Sequence, residues 1–252
     1  MRHGIWVASA CIWLAGCSAP AGIATPTQPV QTRPVQPLIV LDPGHNPSDG
    51  GATSVLGTRE VGYNDRFVAE LAPALQQAGW QVKITRQPEE SMSLIGRAQV
   101  ANELRATVFL SVHHDSVQLR CLRQVQQNGR VAFQTLKPTS GYSLYVSKEN
   151  GNFARSLQLA TDLGEQLRAL GRAPMLEHAG KTCGEGRPLL NPGLGIYRYD
   201  HLAVLRHNQV PAVLLEVGVI TDVQDEAYVD VAANRKKMIA AIVRAMGEFL
   251  HS

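Results

Sequence analysis

An α/β fold, a single domain with a mostly parallel twisted sheet and helices on both faces, is predicted for residues 38–252. Two observations predict it. Five short runs of apolar or alternating residues, typical of strands, recur along this part of the chain. Longer segments with helical periodicity lie between and after them. Because strands and helices alternate, parallel strands joined by helical crossovers are the expected arrangement.

Each element is identified by its pattern. The runs LIVLD, TVFLSVH and AVLLEVGVI are largely apolar, while WQVKITR and GYSLYVS alternate apolar and polar residues. Glycines at 79 and 171 end the first and third helical segments. The expected strands are 38–42, 80–86, 107–113, 141–147 and 212–220. The expected helices are 60–78, 94–104, 153–170, 199–208 and 225–250.

Composition excludes several classes of protein. Hydrophobic residues make up 44% of the 252 residues and charged residues 18%, which excludes a wholly disordered chain. The net charge is only +3, so nucleic acid is not an expected partner. The one long apolar stretch lies at the N-terminus, which argues against a multi-span membrane protein.

The N-terminus has the pattern of an export signal. Arg2 is the only fixed charge ahead of an apolar stretch, residues 5–15, that is too short to span a bilayer. Residues 14–17 read LAGC and resemble the lipobox of bacterial lipoproteins, where cleavage precedes the cysteine and the cysteine is acylated. The resemblance implies a signal peptide at 1–16 and lipidation of Cys17. A plain secretory signal cleaved nearby is the alternative.

Residues 17–37 are expected to be the acylated cysteine and a tether. The segment contains five prolines, one charged residue and no hydrophobic periodicity. A proline-rich chain of this kind extends by roughly 3 Å per residue, so it could hold a domain well away from a membrane. Ser18 follows the cysteine where aspartate would favour the inner membrane. The expected location is therefore the periplasm, with a lipid anchor in the outer membrane.

Residues suited to metal binding lie where three of the expected strands end. DPGH follows the first strand at 42–45, SVHHDS ends the third at 111–116, and Glu216 lies within the last. Glu60 begins the first helix after a loop, 50–57, that contains three glycines. Ligands bind at the carboxyl ends of parallel strands. Two histidines and a carboxylate form a typical catalytic zinc site, and a further carboxylate can act as base.

These segments resemble a known enzyme family in both content and order. DPGH, Glu60 followed by Asn64, SVHHDS, and PAVLLEVGVITD at 211–222 are similar to the four motifs of zinc-dependent N-acetylmuramoyl-L-alanine amidases of the type-3 class. The resemblance extends from about residue 38 to the C-terminus. It implies a zinc amidase catalytic domain at 38–252 and peptidoglycan as the substrate.

The resemblance also implies a role for each motif residue. His45, Glu60 and His113 would bind one Zn²⁺, and Glu216 would be the catalytic carboxylate. Glu216 would take a proton from the attacking water and pass it to the departing amine of L-alanine. The bond cleaved would be the amide between N-acetylmuramic acid and L-alanine. A structural ion pair is the alternative reading of Glu216.

Three further positions remain open. His114 competes with His113, because neighbours on an extended segment point to opposite sides. The family spacing favours His113, and His114 is expected to be solvated or to line the groove. Asp115 is either a support for the site or a turn residue. Arg206 matches a family arginine that could pair with Glu216 or bind a substrate carboxylate, or it could simply extend into water.

Two cysteines, Cys121 and Cys183, remain after the signal and lipobox cysteines are set aside. An oxidising periplasm would favour their pairing as a disulfide, while reduced thiols or an alternative metal site are the other readings. They lie in segments 117–140 and 172–197, which look like insertions relative to the family pattern. An insertion that covers the zinc would require an activator protein. His178, His201 and His207 have no spacing that favours a metal site and are expected to be surface or packing residues.

Two other functions remain as alternatives. A noncatalytic peptidoglycan-binding lipoprotein would keep the groove but lack a metal ligand or the base, whereas all four positions are filled here. A zinc peptidase or deacetylase acting on another envelope polymer would use similar chemistry. Only the family resemblance selects the amide bond.

Overall fold

The computed structural model describes Met1, His3, Gly4 and residues 36–252, and residues 36–252 form one compact unit. Most of the expected signal peptide, the lipidation site Cys17 and most of the tether lie outside the described residues. Within the described part of the chain, no helix has both the length and the apolar character needed to cross a membrane.

The described unit contains nine strands and six α-helices. The strands are β1 Leu38–Pro43, β2 Gln81–Ile84, β3 Val108–Asp115, β4 Leu122–Gln127, β5 Arg130–Thr135, β6 Ser143–Val146, β7 Leu189–Asn191, β8 Ile196–Arg198 and β9 Ala212–Val219. The helices are α1 Glu60–Gln77, α2 Leu94–Glu103, α3 Phe153–Ala169, α4 Ala203–Arg206, α5 Val223–Asp230 and α6 Ala232–His251.

Seven strands form one sheet in the order β2-β1-β3-β9-β6-β8-β7. Four of them, β2, β1, β3 and β9, are parallel, which agrees with the expected crossovers. Strand β6 pairs antiparallel with β9 and parallel with β8, and β7 pairs antiparallel with β8. The expected α/β fold, with a mostly parallel sheet, is confirmed.

Helices cover both faces of the sheet. On one face, α1, α3 and α6 pack together over the largest apolar cluster, which includes Phe67, Leu110 and Met246. On the other face, α2 and α4 pack over a smaller cluster that includes Phe109 and Tyr197. The apolar runs of β1, β3 and β9 therefore contribute side chains to both clusters, as expected for strands buried on both faces.

Two expected helices have different bounds. The segment predicted at 199–208 is helical only over α4, because Tyr199 donates its backbone N–H to Val146 O and so extends the pairing of the sheet. The segment predicted at 225–250 is two helices, because Val231 has extended backbone angles (φ −75°, ψ 118°). Asp222 caps the N-terminus of α5 by accepting from the backbone N–H groups of Gln224 and Asp225.

The two segments that look like insertions contain structure that no pattern predicted. β4 and β5 form a separate two-stranded hairpin joined by Asn128 and Gly129, both of which have positive φ. β7 and β8 add the far edge of the main sheet. Cys121 and Cys183 form a disulfide that links the two segments.

Candidate active site

The first strand delivers His45 to the carboxyl edge of the sheet. Asp42 is fully buried at the end of β1 and binds Arg97 (Nη1 to Oδ1 2.8 Å) and Ser111 (Oγ to Oδ2 2.7 Å), which compensates its charge. His45 has φ 61°, a conformation that L residues rarely adopt. Its carbonyl accepts hydrogen bonds from Arg97 and, at 2.7 Å, from Arg86 Nε. These contacts hold the turn in place.

Two neighbouring strands contribute His113 and Glu216. These residues are directly paired across the parallel ladder between β3 and β9. Glu60 reaches the same place from a different direction, since it is the first residue of α1. The predicted site residues therefore come from the ends of three strands and from one helix N-terminus.

His45, Glu60 and His113 converge. His45 Nε2 lies 3.0 Å from Glu60 Oε2, and His113 Nδ1 lies 2.9 Å from Glu60 Oε1. One potential ligand atom from each residue lies within 4.8 Å of those of the other two. Two histidine nitrogens and a carboxylate oxygen form a donor set that Zn²⁺ accepts.

Glycines make room for this cluster. A Cβ atom at Gly44 would lie 2.2 Å from His113 Nε2, and one at Gly51 would lie 2.3 Å from Glu60 Oε2. Real Cβ atoms do not approach other atoms so closely, so a side chain at either position would displace a member of the cluster. Gly51 also has φ 68°, which favours glycine independently.

Glu60 is held by hydrogen bonds besides those to the two histidines. Its Oε1 accepts from Asn64 Nδ2 at 3.2 Å, and its Oε2 accepts from the backbone N–H of Ala52 at 3.1 Å. Asn64 also donates to Gly44 O, so one amide joins α1 to the turn after β1. Such contacts orient a ligand before any metal binds.

His114 was expected to be solvated or to line the groove, and this expectation is wrong. It is 2% exposed and faces α1, where its Nδ1 lies 2.8 Å from Asn64 Oδ1 and its ring contacts Tyr63 and Phe67. Burial lowers the pKa of His114 to about 3, so it is neutral. The strand alternation that turns His114 inwards turns His113 towards Glu60.

The pKa values of Glu60 and His45 depend on the contact between the two residues. Burial alone would raise the pKa of Glu60, but hydrogen bonds from His113 and His45 outweigh burial and hold that pKa below its ordinary value. Burial opposes protonation of His45, but the hydrogen bond to Glu60 and its negative charge raise the pKa of His45 overall. Glu60 is therefore ionised, the state a metal ligand needs.

Glu216 is also affected by burial, but it lacks the histidine partners of Glu60. Its Oε2 atom is buried and has no hydrogen-bond partner among the described residues. Burial, followed by repulsion from Asp115 and Glu60, raises the pKa of Glu216 well above its ordinary value. No arginine or lysine of the described chain forms an ion pair with it, so the alternative of a structural ion pair receives no support. An unpaired acid beside a ligand cluster is suited to proton transfer.

The cluster opens into a cavity of about 390 Å³. His45, His113 and Glu216 line this cavity, as do His178, Arg187 and Asp115, the last residue of β3. His178 and Arg187 belong to residues 116–121 and 176–187, which we call the disulfide-linked wall. It does not close the cavity, and the cluster histidines remain partly exposed.

His178 is the main residue that sequence reasoning missed, since it was expected to lie at the surface or in packing. It is 4% exposed and lies between two carboxylates, with Nε2 2.7 Å from Asp115 Oδ2 and Nδ1 2.9 Å from Glu185 Oε2. Burial would lower the pKa of His178, but the two carboxylates raise it to about 10. No spacing pattern could have identified it, because its partners are distant in the sequence or irregularly spaced.

The remaining predicted residues have distinct positions. Asp115 is buried, and it binds His178 and accepts from Ser116 N at 2.7 Å, so it supports the cavity and also shapes the turn. Arg206 is exposed at the end of α4 and does not line the cavity. The structure therefore does not bring Arg206 to the candidate site, because the short α4 directs it to the surface.

The fold and the site together define a class of protein. An α/β fold that gathers two histidines and a carboxylate at the carboxyl edge of its sheet, beside an acid with a buried oxygen, has the arrangement of a hydrolase with a metal site. A family model described as N-acetylmuramoyl-L-alanine amidase matches residues 39–248. The chain belongs to this family. Its activity is hydrolysis of the amide bond between N-acetylmuramic acid and L-alanine in peptidoglycan.

Relatives and solved structures agree with this assignment. The probable cell wall amidase LytH of Staphylococcus epidermidis is 26% identical over 249 residues, covering 98% of this chain and 67% of the relative. LytH of Staphylococcus aureus is 28% identical over 237 residues, covering 92% of this chain and 64% of the relative. The chain thus spans about two thirds of the length of these relatives.

Similarity to solved amidases shows the fold. The N-acetylmuramyl-L-alanine amidase Ami1 of Mycobacterium smegmatis has a TM-score of 0.65 and 24% identity, covering 85% of this chain and 97% of that one. An N-acetylmuramoyl-L-alanine amidase of Clostridium difficile 630 has a TM-score of 0.66 and 21% identity, covering 86% and 98%. The expected architecture therefore recurs over nearly the full length of these two chains.

Proposed function

We propose that this chain is a zinc-dependent amidase in which His45, Glu60 and His113 bind one Zn²⁺ and Glu216 is the catalytic acid and base. The observation that favours this assignment is the buried, unpartnered Oε2 of Glu216 next to three converging ligand side chains. Burying a carboxyl oxygen without a hydrogen-bond partner costs free energy, which is the kind of cost expected at a functional site. The donor set and the glycine contacts both fit a bound metal ion.

Each residue has a defined part in the proposed reaction. A bound Zn²⁺ would polarise the scissile carbonyl and lower the pKa of a water molecule. Glu216, once ionised, accepts a proton from the attacking water and then donates it to the nitrogen of L-alanine as the amide bond breaks. Glu60 keeps its charge through the hydrogen bonds of the cluster, and the buried turn after β1 holds His45 in position.

The proposal extends to location and partners. The LAGC segment favours lipidation of Cys17, and Ser18 favours the outer membrane, so we propose a lipid-anchored periplasmic enzyme. One solved amidase of the same fold, CwlD of Clostridioides difficile, is in complex with the GerS lipoprotein. An activator protein would not have to uncover the cavity of this chain, since the cavity is open.

Digestion of purified sacculi tests the assignment directly. The wild-type protein should release stem peptides that begin with L-alanine, identified by mass, and should contain one zinc per chain. Glu216→Gln should keep the zinc but lose roughly 10²- to 10⁴-fold in rate. Release of glycan or shorter peptide fragments would favour the peptidase or deacetylase alternative. Binding to sacculi without any product would favour the noncatalytic alternative.

A further inference from the structure

Arg187 is the one arginine or lysine among the residues that line the cavity. The lining also contains three carboxylates, Asp115, Glu185 and Glu216. Asp115 and Glu185 already share the His178 imidazolium. The charge of Arg187 is therefore not needed to compensate Asp115, and its function has to be sought in its own surroundings.

The guanidinium of Arg187 is held in one orientation, but only part of it contacts other residues. Its Cζ atom lies 3.2 Å from the centroid of the Tyr199 ring, so the aromatic face holds it. Its Nε lies 3.4 Å from Glu185 Oε2, which is a long contact. No described residue forms a hydrogen bond with Nη1 or Nη2, and 22% of the side chain is exposed. One edge of a preoriented guanidinium is thus free at the cavity.

The surroundings of Arg187 are rigidly built. Glu185 is fixed through both oxygens, by Gln118 Nε2 at 2.7 Å and by His178 Nδ1 at 2.9 Å. The backbone N–H of Arg187 donates a hydrogen bond to the backbone carbonyl of His178 at 2.9 Å. The Cys121–Cys183 disulfide ties the two parts of the wall together. A guanidinium that is held in this way loses little entropy when it binds a ligand.

We propose that Arg187 binds a carboxylate of the peptidoglycan ligand in the groove. A guanidinium edge with two free nitrogens matches the two oxygens of a carboxylate. This inference rests on the proposed function for the identity of the ligand. The carboxylate could belong to the peptide stem or to the lactyl group that hydrolysis releases, and both have the same chemistry.

Two matched substrates test the stem carboxylate. They are N-acetylmuramoyl-L-alanyl-γ-D-glutamyl peptides with the α-carboxyl either free or amidated. Wild type should cleave the free acid with a roughly 10- to 100-fold higher kcat/KM, the effect expected of hydrogen bonds to a charged group. Arg187→Gln should lose this preference, because its KM for the free acid should rise more than its KM for the amidated substrate. Arg187→Lys should keep part of the preference.

A second arm tests the lactyl carboxylate. N-acetylmuramic acid should inhibit wild type competitively, and Arg187→Gln should weaken that inhibition if the lactyl group is the ligand. Arg198→Gln is the control, since Arg198 pairs with Asp200 at 3.1 Å and does not line the cavity. The control should match wild type in both arms. Unchanged preference and unchanged inhibition in Arg187→Gln would overturn the proposal.

Failure of the proposed function would look different. If wild type cleaves neither these substrates nor sacculi, the proposed function fails. Calorimetric binding of the free-acid and amidated stem peptides then tests Arg187 alone. Tighter binding of the free acid that is lost in Arg187→Gln supports the proposal, and equal binding by both proteins overturns it. If Arg187→Gln does not fold, Arg187→Lys is measured instead: a preference for the free acid smaller than that of wild type supports the proposal, and an undiminished preference overturns it.

Discussion

The ligand cluster and the disulfide-linked wall line the same cavity but are held in different ways. His113 and Glu216 are adjacent because β3 and β9 are hydrogen-bonded in register. The wall has little regular structure, and its geometry depends on a disulfide and on the ion pairs of His178. The comparison indicates that sheet pairing positions His113 and Glu216, whereas side-chain links position the residues of the wall. Each prediction below perturbs one of the two regions and leaves the other intact.

Gly44→Ala should have the largest effect, because the new Cβ would lie 2.2 Å from the His113 ring. The displaced ring should cost zinc binding and at least about 10²-fold in activity, the loss typical of a misplacement of about 1 Å. Zinc content and sacculus digestion measure both. Gly151→Ala is the control, since a Cβ there meets no atom within 4 Å. Full zinc occupancy and activity in Gly44→Ala would contradict the role assigned to this contact.

Asn64→Ala should weaken zinc binding by roughly 10- to 100-fold, the usual effect of removing a residue that orients a metal ligand. The variant loses the 3.2 Å bond to Glu60 and leaves the buried Nδ1 of His114 without its partner. Competition with a chelator measures the affinity. Asn102→Ala, which removes exposed contacts to His207 O and Gln209 N, should leave affinity unchanged. Equal affinities in the two variants would rule out this function of Asn64.

Replacing both Cys121 and Cys183 with alanine should lower the free energy of unfolding by roughly 2–4 kcal/mol, because the disulfide closes a long loop. Zinc affinity should be unchanged, since the ligands lie on the sheet and α1. Denaturant titration and zinc competition separate the two effects. Reduced wild type is the matched control and should resemble the variant. A loss of zinc affinity equal to that of Asn64→Ala would show that the two regions are not independent.

His178→Gln should have the smallest effect, a change in how stability depends on pH. The pKa of His178 is raised to about 10, so its ion pairs stabilise the fold fully below about pH 6.5 and lose their effect as the pH rises towards 10. The free energy of unfolding of the wild type should therefore exceed that of the variant most near pH 6. The difference should narrow by on the order of 1 kcal/mol towards pH 9. Thermal unfolding at several pH values measures this gap. A constant gap would mean that His178 is not charged in the native protein.

The sequence predicted most of the framework, because strand and helix patterns are local. All five expected strands are present, and the first three expected helices differ from the observed ones by one residue at their C-terminal ends. The direction of β6 was not predictable, since an alternating run is compatible with either direction. The break at Val231 was also missed, because apolar and helix-forming residues continue on both sides of it.

Sequence reasoning was less complete for the site. His45, Glu60, His113 and Glu216 were singled out because each lies in a recognisable motif near a strand end or a helix start. Arg206 was named on the same basis, yet the structure places it at the surface. His178 and Arg187 were not singled out, because neither lies in a periodic element or in a motif. Their roles depend on Glu185 and Tyr199 being folded against them.

The amino-acid pattern was sufficient for the order of the five predicted strands and the helices between them, and it named the four residues of the proposed reaction. The order of the elements follows from backbone periodicity, which is a property of short segments, and the four residues follow from the resemblance of their segments to family motifs. The folded chain was needed to show that His114 faces the core and that His178 bridges Asp115 and Glu185. It was also needed to show the free edge of Arg187. Ion pairs and burial depend on segments that are far apart in the sequence, so no local pattern contains them.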